Sequence, residues 1–304
     1  MLATATVRIK TLAPRLGAAL RETGDRLLPG ALLLRQVIAA EAQRVQWVQP
    51  AGNDSGRLLA EVTTSRRDIL AAQRLRYRVF SEEYGAQFDG IAGIDHDRFD
   101  RHCRHLVVKD VLTGQVVGYT RLLTAERARR AGSWYSAGEF ELDMIDRLDG
   151  RVLEIGRTCV HPDYRSGAAI GVLWSKLAEI LLAENFDYLF GCASIPLGDR
   201  DAAAMLAVLA AREEQDPRFR VRPRVLLPSL AATTDPRTVK LPPLLRTYLS
   251  MGARVCGAPC WDPDFNCADV FVLVDVAAIP ARYKRHFMAP RVQAAAGTPA
   301  EWVA

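Results

Sequence analysis

The stretch Val152-Leu-Glu-Ile-Gly-Arg-Thr-Cys-Val-His-Pro-Asp-Tyr-Arg165 constrains the fold more than any other part of this 304-residue chain. It begins as a buried β-strand, yet it carries an acid, a glycine and an arginine before it runs into a turn and a helix. Charges rarely sit inside an apolar strand without a partner or a function. Glu154 and Arg157 are three apart, so strict alternation puts them on opposite faces. Gly156 lies between them, and glycine inside a strand marks a β-bulge or a close backbone approach. A bulge adds one residue to the count and brings both charges to one face, the signature of a site.

The rest of the chain supplies a sheet for this strand. Leu58–Thr63 reads as a first strand, and Ser65 with Asp68 forms a capping box that opens a helix running to about Glu83. Leu106–Asp110 and Gln115–Leu123 flank Thr113-Gly114 as a β-hairpin. After the strand at 152–160 come a helix over about 168–184, a strand over 188–194 and a helix over 201–214. A last helix over 241–251 starts at Pro242-Pro243, and Asp269–Val276 is the closing strand. Antiparallel strands followed by strand–helix–strand units describe one α/β domain with a mixed sheet.

Residues 57–286 form that domain. Residues 1–56 are a helical extension ending in the linker Pro50-Ala-Gly-Asn-Asp-Ser-Gly56, and 287–304 are a C-terminal tail. Basic residues outnumber acidic ones in the extension, which reads as an arm packed on the body. An amphipathic helix resting on anionic membrane is the alternative. No run approaches the ~20 apolar residues of a spanning helix, and Pro29-Gly30 interrupts the greasiest early stretch. The cysteines lack zinc spacing, so free thiols in a reducing cytoplasm and no metal site are expected. A net charge of +5 suits an ordinary solvated surface or an acidic partner. Nucleic acid is disfavoured, because no basic helix or aromatic stacking surface stands out.

Three arginines fall where apolar residues belong. Arg76 lies on the stripe formed by Ile69, Ala72, Val79 and Phe80, and Arg121 shares a strand face with Val117, Tyr119 and Leu123. Arg157 is the third. With Glu154 and the acid-rich segment Ile94–Asp100 they form a polar network between helix and sheet, of the kind that is structural or that recognises ligand charges.

Leu75-Arg-Tyr-Arg-Val-Phe80, Asp97, Asp100, Gly118-Tyr-Thr-Arg-Leu-Leu123 and Glu154-Ile-Gly-Arg157 together resemble the autoinducer-synthase-like branch of the GNAT N-acyltransferases. Cys159–Arg165, Pro242–Gly252, Asp262-Pro-Asp-Phe265 and Asp269-Val-Phe271 are similar to the ornithine N-acyltransferases of that branch, and the resemblance covers about residues 57–286. It implies a GNAT-like sheet, mostly antiparallel, whose central parallel strands at 152–160 and 188–194 splay apart around the pantetheine arm of a thioester. The bulged strand then aims backbone N–H groups at the thioester carbonyl, with Gly156 shaping the bulge.

One departure bears on the donor. GNAT enzymes that use coenzyme A carry (Gln/Arg)-x-x-Gly-x-(Gly/Ala), whereas this chain has Tyr164-Arg-Ser-Gly167-Ala-Ala169. The pyrophosphate cradle is degraded, which favours an acyl carrier protein, itself acidic, with Arg165 toward its single phosphate. No separate cofactor is expected beyond this thioester.

The resemblance thus implies transfer of a (3-hydroxy)acyl chain from acyl carrier protein to the α-amine of L-ornithine. Glu154 is the candidate base, directly or through water, and Ser194 the candidate proton donor to the thiolate. Arg76 or Arg121 takes the acceptor's carboxylate, and Asp97 and Asp100 hold its ammonium, with Phe80 and Arg157 beside them. Gly156, Cys159, Val160, Arg165, Ser166 and Gly167 face the acyl donor. The expected location is cytoplasmic, with peripheral contact at the inner face of the membrane as an extension. Another N-acyl amino-acid synthase, an acyl-homoserine lactone synthase and a non-catalytic lipid- or carrier-binding module are the alternatives.

Overall fold

The computed structural model describes residues 57–284 apart from 89–90, 231–233 and 282. The expectations for 1–56 and 287–304 lie outside the described residues.

The chain enters as β1 (Leu58–Thr63) and turns into α1 (Arg66–Tyr84). The Ser65 side chain accepts from the Asp68 N–H, which caps the helix as the sequence predicts, a contribution of about 1 kcal/mol. Gly85 ends α1 in the left-handed conformation, at φ 68°. Strands β2 (Arg104–Asp110) and β3 (Val116–Thr124) form the expected hairpin, and the short helix α2 (Ala125–Ala131) follows. After β4 (Phe140–Glu141), the strand that opened the sequence reading is β5, Val152–Val160.

Helix α3 (Ala168–Ala183) leads to β6 (Tyr188–Pro196), and α4 spans Ala202–Ala210, shorter than the sequence suggests. Then come β7 (Arg222–Pro223), α5 (Pro243–Ser250), β8 (Arg254–Val255), β9 (Cys260–Asp262) and β10 (Cys267–Asp275).

The main sheet runs β1-β2-β3-β5-β6-β10-β8, with β9 also on β10. All pairings in it are antiparallel except β5 with β6. Leu173, Leu177, Ile180 and Leu181 of α3 join Leu153, Ile155, Ala193 and Val272 in the largest core. Burying each large aliphatic side chain contributes about 1.5–3 kcal/mol before chain entropy is subtracted. Beneath the other face, Phe140, Phe190 and Phe271 anchor a second cluster, with Phe190 and Phe271 stacked at 5.5 Å.

The parallel pairing decides what the sheet can do. Strands β5 and β6 are bonded only at Val152↔Tyr188, Leu153↔Leu189 and Glu154↔Phe190, and then part. Each is held from its outer side, β5 by β3 and β6 by β10 along its whole length. At the point of divergence a Cβ on Gly191 would lie 2.3 Å from the Ile155 carbonyl oxygen, so only glycine permits this approach. The predicted splay is present. This mixed, mostly antiparallel sheet flanked by helices is the GNAT fold.

Candidate active site

The splay encloses a cavity of about 100 Å3. Ile155, Gly156, Arg157 and Thr158 wall it on the β5 side, and Cys192, Ala193 and Ser194 on the β6 side. Phe80 and Tyr84 of α1, Tyr135, Leu245 and Tyr248 of α5, and Asp262, Phe265 and Asp269 complete the lining.

The bulge is real, and it sits one residue later than expected. Tyr119 pairs with Cys159 and Arg121 with Gly156, so β5 has one residue more than β3 over this span. Arg157 adopts φ 54°, the left-handed region a non-glycine residue enters at a cost of about 1–3 kcal/mol. Gly156 does not; a Cβ there would meet only ordinary contacts, 3.8 Å from Arg121 Nε and 3.9 Å from a Tyr135 ring carbon. The kink thus belongs to Arg157, which corrects the role given to Gly156. The extra residue turns the Arg157 side chain to donate to the Tyr135 hydroxyl at 2.9 Å.

Glu154 is not at the cavity wall. Its carboxylate is buried and accepts from the backbone N–H of Tyr135 at 2.8 Å, from that of Ser136 at 2.7 Å and from the Ser136 hydroxyl at 2.5 Å. Burial raises its pKa, and these three bonds with the Arg121 charge oppose the rise. With its donors already supplied, Glu154 anchors the segment that carries Tyr135, and the direct role of base expected for it does not fit this placement.

The arginines and aspartates also part company with expectation. Arg76 is fully buried and pairs with both oxygens of Asp95 at 2.8 Å and with Asp100 at 2.6 Å. Arg121 grips Asp97 at 2.7 and 2.8 Å and reaches Asp100 at 3.3 Å. Burial alone would raise the carboxyls of Asp97 and Asp100; Arg121 for the first, and Arg76 with Arg121 for the second, hold them below the usual range. Arg76, Arg121, Asp97 and Asp100 do not line the cavity, so the acceptor contacts assigned to them are corrected to a structural network. Asp95, held by Arg76, also ties Arg157 to the network at 3.3 Å.

Arg157 is the arginine that does face the cavity, with its guanidinium 4.4 Å above the Phe265 ring and 5.2 Å from that of Tyr135. Phe80 packs edge-on to Phe265 at 5.8 Å and lines the same wall. Opposite lies an acidic end that sequence reasoning missed. Asp269 at the start of β10 accepts from the Ser194 hydroxyl at 2.5 Å. Glu139, in the turn before β4, is buried within electrostatic reach of Asp269. Burial first, and then the Asp269 charge, push Glu139 well above the ordinary carboxyl range, and they also raise Asp262.

Asp262, Cys267 and Asp269 bring two carboxylates and a thiol within 4.8 Å of one another, with the Cys267 thiol donating to Asp269 at 3.7 Å. Burial and the two carboxylates push the Cys267 thiol far up, so it is held as the neutral thiol.

The donor-side residues divide. Gly156 and Ser194 line the gap, whereas the Cys159 side chain is buried with Tyr119, Leu75 and Val79 on the α1 side of the sheet. Cys159 is therefore a core residue, not a donor contact. The Val160 carbonyl accepts from Arg165 Nε at 3.1 Å, and the exposed Arg165 also pairs with Glu83. Ser166 is exposed, and Gly167 caps the start of α3 at φ 106°. Val160, Arg165, Ser166 and Gly167 do not line the cavity, so the donor contacts expected of them fall outside it.

A splayed parallel pair, a kinked strand and a polar cavity at the opening define an acyltransferase of the GNAT class. The chain matches the family described as Acetyltransferase (GNAT) domain over residues 75–175. It is 34% identical over 251 residues to the L-ornithine N(alpha)-acyltransferase of Brucella abortus (strain 2308), covering 76% of this chain and 89% of that one. The corresponding enzyme of Rhodobacter capsulatus is 36% identical over 244 residues, covering 75% of this chain and 93% of that one. The chain belongs to the L-ornithine N(alpha)-acyltransferase family. Among solved structures, a CoA-dependent acyl-homoserine lactone synthase aligns at 16% identity with a TM-score of 0.45, over 79% of this chain and 100% of that one.

Proposed function

We propose that the protein transfers a (3-hydroxy)acyl chain from the thioester of an acyl carrier protein to the α-amine of L-ornithine, giving a lyso-ornithine lipid. Family membership carries this reading, with 34–36% identity to named ornithine acyltransferases over three quarters of the chain. The polarity of the cavity agrees with it. An amino acid presents a carboxylate and an α-ammonium, and ornithine adds a second ammonium. The cavity sets Arg157 on one wall against Asp262 and Asp269 on another. Arg157 suits the carboxylate, because its guanidinium matches a planar anion.

The donor arm lies along the unpaired inner edges of β5 and β6. Backbone N–H groups near the Arg157 kink are the candidate oxyanion donors. Ser194, at the wall and hydrogen-bonded to Asp269, is the candidate proton donor to the departing thiolate. The carrier protein is favoured over coenzyme A by the degraded loop Tyr164–Ala169 and by the exposed Arg165. Among the described residues no helix is long and apolar enough to cross a membrane. A cytoplasmic enzyme that meets the inner face of the membrane only peripherally fits an amphiphilic product.

Mass spectrometry of lipids from a host lacking ornithine lipids, after expression of this chain, tests the reading. A lyso-ornithine lipid is expected; another N-acyl amine in its place overturns the acceptor. Purified enzyme given acyl carrier protein and coenzyme A thioesters side by side tests the donor. Faster turnover of the coenzyme A thioester overturns the carrier preference.

A further inference from the structure

The acylation needs a group to take the ammonium's proton, and Glu154 stands behind the cavity wall with three donors on its carboxylate. Asp269 is placed differently. It lines the cavity, lies opposite Arg157, and has one oxygen on the Ser194 hydroxyl. Its register partner across the β10–β6 ladder is Ser194 itself, so the two side chains meet at the open end of the splay. Behind it Glu139 adds a second buried acid that interacts electrostatically with it, while Cys192 donates to Ser136 at 3.3 Å and Ser136 donates to Glu154 at 2.5 Å. The Glu139 oxygen Oε2 is buried without a hydrogen-bond partner.

We infer that Asp269 is the catalytic base, with Ser194 as the relay to the leaving thiolate. The inference rests on the acyltransfer reading above. Asp269 takes a proton from the acceptor's ammonium, and the neutral amine attacks the thioester carbonyl. The C–N bond forms and the C–S bond breaks. The proton on Asp269 passes through the Ser194 hydroxyl to the departing thiolate. The proton shed by the new amide nitrogen then returns to Asp269 and leaves to solvent, so each turnover releases one proton.

Asp269 is faced by charged or titratable groups from several elements. Glu139 precedes β4, Asp262 is on β9, and Cys267 is two residues away on β10. Tyr84 of α1, Tyr135 and Cys192 of β6 also interact with it electrostatically. The nearby thiols and phenols stay neutral through the working range.

Asp269→Asn keeps the shape and removes the acceptor. At saturating ornithine and carrier thioester near neutral pH, kcat is expected to fall by about 10²–10⁴-fold. The wild-type to variant ratio should shrink as pH rises past the amine's own pKa, where the amine arrives already neutral. A ratio that stays constant with pH overturns the assignment and makes Asp269 structural. A folded variant with wild-type kcat overturns it too. The wild type alone supplies a second reading, in case the variant does not fold: kcat at saturation should decline on the acid side of its profile. A flat kcat from pH 5 to 8 overturns the base. A wild type that acylates some other amine but not ornithine, with the ratio still converging at high pH, sinks only the acceptor reading.

Discussion

Glu154 and Arg157 bind the same residue from one strand. The carboxylate takes the Tyr135 backbone N–H at 2.8 Å, and the guanidinium donates to the Tyr135 hydroxyl at 2.9 Å. The inserted residue makes this convergence possible, since two residues three apart on a regular strand point to opposite sides. Tyr135 therefore stands at the cavity wall clamped at both ends, and its ring also supports Arg121 at 4.6 Å.

Glu154→Gln separates anchoring from proton transfer. The amide loses one acceptor lone-pair set and places an NH2 against donors, which costs about 1–3 kcal/mol. A thermal melt should fall by several degrees, and activity should fall with it. The shape of the kcat pH profile should be that of the wild type. Loss of its acid limb in a folded variant would return the base to Glu154.

Asp100→Asn tests the buried network. Its carboxylate serves Arg76 at 2.6 Å and Arg121 at 3.3 Å, and all three side chains are almost wholly buried. Removing one charge there costs about 3–5 kcal/mol, read as a lower denaturant midpoint. A change under 1 kcal/mol would show that the arginines find other partners.

Stability should also depend on pH with a definite sign. Asp97 and Asp100 have folded pKa values below their unfolded ones, so their contribution is full above the unfolded value, about 4, and is lost as pH falls below it. Glu154, Glu139 and Asp262 are raised, so theirs is present at low pH and is lost as pH climbs through their folded values. Urea midpoints should therefore drop as pH falls from about 4 in the wild type, and drop less in Asp100→Asn. An equal drop in both would remove Asp100 as a source of acid sensitivity.

Arg157→Lys should raise KM for ornithine at least tenfold with a smaller effect on kcat, because an ammonium cannot match a planar carboxylate in the same way. Steady-state kinetics on the purified variant decide this. An unchanged KM would mean that the carboxylate binds elsewhere.

Gly191→Ala strikes the joint of the splay. Its Cβ would collide with the Ile155 carbonyl oxygen at 2.3 Å, and backbone has to shift to relieve it. A loss of about 1–3 kcal/mol, with reduced activity, is expected from thermal melts and assays. Full activity and an unchanged melt would mean that the joint tolerates widening.

Much of this frame is legible in the sequence. The Ser65 cap, the hairpin and the strand at 152–160 follow from local patterns, and the three arginines stand out because they interrupt apolar stripes. The partners of those arginines are less legible. Asp95, Asp97 and Asp100 lie in an irregular loop, and only the folded chain shows that they are consumed pairing Arg76 and Arg121. The kink falls on Arg157 because β3 opposes it with one residue fewer, a long-range fact that favours no residue type locally. Tyr135 and Glu139 sit in a short segment without periodicity. Asp269 begins a closing strand and looks like a polar strand end until β6 brings Ser194 against it.

Three residue pairs join the two halves of the sheet, β1-β2-β3-β5 and β6-β10-β8. In mechanical terms the molecule is a pair of boards fastened along a short seam. Leu173, Leu177, Leu245 and Tyr248 of α3 and α5 share one hydrophobic core with residues of both boards. The opening is therefore built when the protein folds. A donor entering it finds its width already fixed, so little ordering of the strands is left to oppose binding.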